Sequence, residues 1–279
     1  MNARNIKWVN LILFFIMITV NSLSELLPIG YGNTSSISAD YPSLFTPAGY
    51  TFSIWGVIYA FMLLFIVWQW AAPGFGSAAD WIITKTGLMF AVSCLMNTGW
   101  IFAWHYKKMG LSVLFILGLL VSLVLIQRVF LADPCKNMSC RIISIGFDIY
   151  LGWIIAAAIA NISVFLVSIS WNGFGLSEVF WTCVVLLFGA LIGSLPVIIT
   201  GRYFTTFAVV WAYFGILVKY LIHEEMTSRY PVIILFTAIS IVLMLMSTCY
   251  TLIVSGTDDR VTEIIPEVME ISGNSIEYV

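Results

Sequence analysis

Leu111-Ser-Val-Leu-Phe-Ile-Leu-Gly-Leu-Leu-Val-Ser-Leu-Val-Leu-Ile126 runs for sixteen residues without a charge, and its apolar side chains point in every direction of a helix rather than along one stripe. A helix of that kind is either wholly buried or crosses a bilayer. A crossing takes about 20 apolar residues at a rise of about 1.5 Å each, and the run extends to 111–131. A barrel strand would instead alternate over about ten residues. Seven more stretches read the same way: 7–27, 51–71, 85–105, 147–168, 177–199, 203–222 and 231–254. Lipid offers no partner to a backbone amide, so each must be a helix. Of the 279 residues, 61% are hydrophobic and 9% charged, against about 25% charged in soluble domains. The fold class is therefore all-α, a polytopic membrane bundle of about eight transmembrane helices.

A net charge of -2 from twelve basic and fourteen acidic residues gives no surface for nucleic acid. Basic flanks set the orientation. With the N-terminus in the cytoplasm, Arg4, Lys7, Lys85, Arg128, Lys136, Arg141, Arg202 and Arg260 fall inside, and Lys107, Lys108, Lys219 and Arg229 fall outside. This predicts both termini on the cytoplasmic side of a plasma membrane. Asn21, Ser22 and Glu25 lead into no small-x-small cleavage site, so 7–27 reads as a retained span. Cys135 and Cys140 then lie on an inner loop, where thiols stay reduced. Cys94, Cys183 and Cys249 read as small apolar residues within spans. The longest connector, residues 28–50, is rich in Gly, Ser and Pro and reads as a solvated loop or a lid over a site. Asn33-Thr-Ser35 within it fits a glycosylation acceptor. Residues 255–279 read as an acidic, weakly ordered cytoplasmic tail.

Ionisable residues placed in mid-span usually work there, because the placement is costly. Glu25, Asp148, Arg128, Arg202 and Lys219 all read as lying close to span ends. Asp148 suits the positive end of a helix dipole. His105 and His223 suit interfacial positions. The sequence holds no HExxH, phosphate loop or GxSxG, so neither catalytic residues nor metal ligands are assigned.

The spans do carry aromatic rings. Trp8, Trp81, Trp171 and Trp181 are placed for interfacial belts. Others recur at helical spacing: Phe52, Trp55 and Tyr59; Asn97, Trp100 and Trp104; Trp153, Ala157 and Asn161. Each set lies along one helix face. A carboxamide in hydrocarbon needs a partner, so Asn97 and Asn161 should face the bundle interior and carry the aligned Trp residues with them. Ala157 leaves space beside Trp153. Two readings follow: helix packing held by amide hydrogen bonds, or a pocket for a flat, largely apolar ligand.

Three motifs bear on the choice. Phe45-Thr-Pro-Ala-Gly-Tyr-Thr-Phe-Ser-Ile-Trp-Gly-Val-Ile-Tyr59 resembles the second-helix signature of the TspO/MBR family, the tryptophan-rich sensory proteins related to the mitochondrial translocator protein. Asn97-Thr-Gly-Trp100 with Lys108-Met-Gly110 is similar to that family's third helix and the turn after it. Tyr150-Leu-Gly-Trp153-Ile-Ile-Ala-Ala157-Ala-Ile-Ala-Asn161 resembles its fifth. Ser53 stands where the family has Pro, and the family's sterol motif is absent. The resemblance spans about residues 5–170. It implies a five-helix bundle over 1–170, three additional helices over 171–254 and a tail over 255–279. It also implies a tetrapyrrole or porphyrin ligand, a sensor or carrier role, and a pocket lined by Trp55, Tyr59, Asn97, Trp100, Trp153, Ala157 and Asn161 under the loop 28–50. Light-dependent porphyrin breakdown and a homodimer are implied only by the family. A permease for a small hydrophobic solute, or a structural membrane protein with no ligand, stay as alternatives.

Overall fold

The computed structural model describes residues 3–27, 29–71, 78–132 and 137–273, with side chains described up to residue 254 and absent from description at 78 and 79. Its elements in chain order are α1 (Ala3–Leu26), α2 (Thr34–Ala39), α3 (Ile54–Ala71), α4 (Ala78–His105), α5 (Met109–Ala132), α6 (Met138–Ser168), α7 (Glu178–Thr200), α8 (Tyr203–Ile222), α9 (Glu224–Arg229) and α10 (Pro231–Gly273). Short 3-10 turns at Gly49–Ser53 and Gly173–Gly175 complete it. Eight helices are long and apolar enough to cross a membrane, and the described residues contain no strand. The spans begin earlier than expected at α4 and α6, and the backbone of α10 continues past 254 to Gly273, into the residues read as the acidic tail. The connector after α1 is not wholly irregular. Asn33 caps α2 by accepting from the Ser36 amide, as Asx residues do at helix starts.

Helix α6 is the hub. It packs against α3 and α5 on one side and α7 and α8 on the other, while α1 lies on α4, and α10 closes over α7 and α8. The sequence explains the position, since Phe147, Tyr150, Leu151, Trp153 and Ile154 are buried all round its middle. Small residues let neighbours approach closely. A Cβ on Gly152 would fall 2.1 Å from the Thr205 carbonyl oxygen of α8.

The α6–α8 contact also corrects the reading of Asp148. That residue is not at a helix end: it lies well inside α6, 4% exposed, with its carboxylate 2.9 Å from the Arg202 guanidinium. Gln127 of α5 donates to the same carboxylate at 3.0 Å and to Thr205 at 3.2 Å, and Arg202 also donates to Ser144. Two charges that each look peripheral in sequence neutralise one another across the bundle. The dipole is not what holds Asp148.

Cysteine usage differs too. Cys94 and Cys183 are free and buried and Cys249 is free and exposed, but Cys140 is disulfide-bonded where a reduced thiol was expected. Cys135 lies outside the described residues.

Candidate functional site

The three aromatic faces meet. Trp55 of α3 sits at the centre, stacked on Tyr59 at 5.4 Å between centroids and 6.3 Å from Trp100, with Tyr150 at 5.9 Å and Trp153 at 6.1 Å edge-on. Trp104 stacks on Trp100 at 5.6 Å, and Phe52 meets Trp153 edge-on at 5.8 Å. Offset and edge-on rings at these separations are the favourable arrangements for aromatic quadrupoles.

Phe52, Trp55, Trp100, Trp104 and Trp153 border a cavity of about 40 Å³. Trp55, Trp100, Trp153, Ala157 and Asn161 line it, as do Trp104, Ala156, Ala160 and Val164. A water needs about 10–15 Å³ measured this way, so the space as it stands holds a few waters. Ligand sites for drug-sized molecules run to about 300–1,000 Å³. The conformation is closed.

Its polar atoms are placed with care. Asn161 accepts from the Trp100 indole at 2.8 Å and donates to Ser112 at 2.8 Å. The Trp104 indole donates to the Thr34 carbonyl at 3.2 Å. The Trp153 indole is the exception: its residue is 3% exposed, and its N–H has no partner. A buried donor left unmade costs about 1–3 kcal/mol.

Tyr59 and Asn97, expected to line the pocket, stand outside it, one turn deeper. Tyr59 donates to Asn21 at 2.6 Å, Asn21 donates to Asn97 at 2.7 Å, and Asn97 donates to Tyr150 at 3.1 Å. This chain ties α3, α1, α4 and α6 together beneath the cavity floor. Its physical reason is satisfaction of buried amides, the glue the packing reading describes. Asn97→Ala should therefore lower the thermal unfolding midpoint without altering ligand affinity. Asn161→Ala should cost about 1–2 kcal/mol by orphaning the Trp100 N–H and weaken ligand as well. Thermal melts with and without ligand separate the two.

The roof is the segment 29–53, which contributes Thr34, Ser38, Phe45, Pro47 and Phe52. On one side α4 holds it. His105, the last residue of α4, is fully buried, with Nδ1 3.2 Å from the Ile29 carbonyl and Nε2 3.2 Å from the Thr34 hydroxyl. A carbonyl can only accept, so Nδ1–H donates to Ile29, while Nε2 pairs with the Thr34 hydroxyl. Lys107 pairs with Asp40 at 2.9 Å, a hydrogen bond that holds its ammonium pKa above the ordinary value. On the other side is α8. Trp211 donates to the Thr51 carbonyl at 3.0 Å, Lys219 to the Thr46 carbonyl at 3.0 Å, and Tyr220 to the Leu44 carbonyl at 2.8 Å. The Ala48 amide donates to the Gly215 carbonyl at 3.1 Å.

Helix α8 also supplies a wall, through Ala212 and Ile216. Sequence reasoning missed both. The signal available was the small-residue run Ala208, Ala212 and Gly215, which marks a face built for close approach. A Cβ on Gly215 would meet Thr51 Oγ1 at 2.0 Å.

Eight helices among the described residues, long and apolar enough to cross a membrane, define an integral, multi-pass membrane protein. The chain belongs to the family of TSPO-like proteins, whose model matches residues 7–250. That match continues past residue 170, where the resemblance read from the three motifs ends, through α7 and α8 and into α10. No curated protein and no solved structure matches the chain.

Proposed function

We propose that this protein binds a flat, largely apolar ligand of the porphyrin class in the cavity beneath the roof segment, acting as a membrane sensor or carrier. The observation that carries the reading is the buried, unpartnered N–H of Trp153, a residue whose side chain lines that cavity. Buried donors are mostly hydrogen-bonded, and an acceptor on a ligand would satisfy this one. Indole faces from α3, α4 and α6 offer stacking surface for a macrocycle. The chain's membership of the TSPO-like family supports the same class of ligand.

Purified protein titrated with protoporphyrin IX should lose Trp emission in a saturable way. Trp153→Phe keeps an aromatic ring but removes the donor and part of the ring's bulk. It should weaken binding about tenfold, the worth of one hydrogen bond of about 1.4 kcal/mol, while the ligand-free melt falls only modestly, because the lost packing is offset by removal of an unpaired donor. Trp55→Phe should reduce both quenching and affinity. A wild-type protein with no saturable quenching would leave a structural bundle as the surviving description.

A further inference from the structure

A cavity of about 40 Å³ cannot admit a macrocycle as it stands, and the structure shows where room lies. A second chamber, of about 510 Å³, opens beside it. Its walls come from the roof segment at residues 42–45, the end of α6, the turn that follows and the start of α7, among them Ser43, Leu166, Trp171, Leu176, Glu178 and Trp181. Both chambers run along α6, with Ala160, Asn161 and Val164 lining the inner one and Ser163, Leu166 and Val167 the outer. Among the residues that line them, Phe45 alone borders both. Trp171, Phe174 and Trp181 cluster at the mouth, with centroids 5.1 to 6.4 Å apart, as aromatic rings do at the level of lipid head groups.

We infer that the outer chamber is the way in for the ligand, and that the Phe45 ring is its gate. This rests on the reading of the inner cavity as the binding site. The ring is 3% exposed and stands edge-on to Tyr213 at 5.8 Å. Its main chain cannot easily travel, because the carbonyls on either side, Leu44 and Thr46, are held by Tyr220 and Lys219. The side chain can. An outward rotation about χ1 takes the ring into the free volume of the outer chamber and joins the two spaces, giving a volume within the range that ligand sites occupy. The gate therefore opens by a rotamer change, with the roof segment still fastened. Amphipathic planar molecules concentrated at the interface meet the aromatic mouth first, and Glu178 and Ser43 give it a polar rim.

Stopped-flow Trp quenching by protoporphyrin IX tests this on the full chain. A gate open between one part in ten and one in a thousand of the time slows association by that factor. Phe45→Ala should raise the association rate about tenfold or more, with dissociation rising in parallel and Kd moving far less. Phe45→Leu, which keeps more of the packing, should give an intermediate rate, and Phe45→Trp a slower one. In a Cys249→Ser background, Leu176→Cys carrying a bulky maleimide should slow both rates, whereas the same label on Tyr106→Cys, on the α4 side of the roof, should not. Rates indifferent to Phe45 and to the Leu176 label, or a block from Tyr106 instead, overturn the route. A ligand-free measurement separates the gate from the site: an Ala157→Cys thiol should react faster with a small methanethiosulfonate when Phe45 is Ala and slower when it is Trp. Thiol rates that follow Phe45 without any porphyrin binding keep the gate and reject the ligand class. Thiol rates that ignore Phe45 reject the gate.

Discussion

Arg202→Met, made alone, should lower the free energy of unfolding by about 3–5 kcal/mol, because it strands the Asp148 carboxylate inside the bundle without its counter-charge. The pair is 2.9 Å apart with side chains 13% and 6% exposed. Gln127 still donates to the carboxylate, but one neutral donor does not replace a guanidinium. Asp148→Asn should cost less: Arg202 precedes the first turn of α8, and its long side chain can reach toward the interface once released. The double replacement Asp148→Leu with Arg202→Met should recover most of the loss, since a buried pair exchanged for apolar residues of similar size is often neutral. Denaturant titration in detergent reads all three. An Arg202→Met protein as stable as wild type would mean that water reaches the pair and screens it.

Gly152→Val should be the next most damaging change. The shortfall between 2.1 Å and an ordinary contact of 3.4 Å is about 1.3 Å, and the obstacle is the Thr205 backbone rather than a side chain that could swing aside. Helix α8 has to retreat from α6. Overpacking of this kind costs about 1–3 kcal/mol, occasionally more. The retreat also withdraws Ala212 and Ile216 from the cavity wall, so porphyrin affinity should fall together with the melting temperature. Gly56→Ala is the control. Nothing lies within 4 Å of its Cβ, and relief of glycine's backbone entropy should leave the protein unchanged or stabilised by about 0.5–1 kcal/mol. Equal effects from the two glycines would contradict the tight α6–α8 seam.

The contrast between those residues and the aromatic faces shows what a sequence carries. All eight spans were legible, because a crossing is a local property of about 20 consecutive residues. The starts of α4 and α6 were not, because Lys85, Arg141 and Asp148 look like charges that flank a span. Spacing also put Trp55, Trp100 and Trp153 on the right faces. It could not set depth: Asn97 lies on the same face as Trp100, yet one turn down it meets Asn21 rather than the cavity. Asp148 and Arg202 are separated by 54 residues, and His105 finds its partners in a segment more than 70 residues earlier. No local pattern announces such pairs. The contribution of α8 was hidden for the same reason, since Ala212 and Ile216 are ordinary apolar residues until the fold sets them opposite Trp153.

The fastenings of the roof have one more consequence. Trp104, Trp211, Lys219 and Tyr220 reach main-chain oxygens, at Thr34, Thr51, Thr46 and Leu44 respectively. Every residue type offers that same oxygen, so the grip is blind to which side chains the segment bears. Exchanging Ser38, Phe45 or Pro47 changes what faces the guest while the segment stays moored, whereas the four mooring residues on the helices have no such latitude. On the proposed reading, ligand selectivity is set in the roof alone, one side chain at a time, without rebuilding the scaffold beneath it.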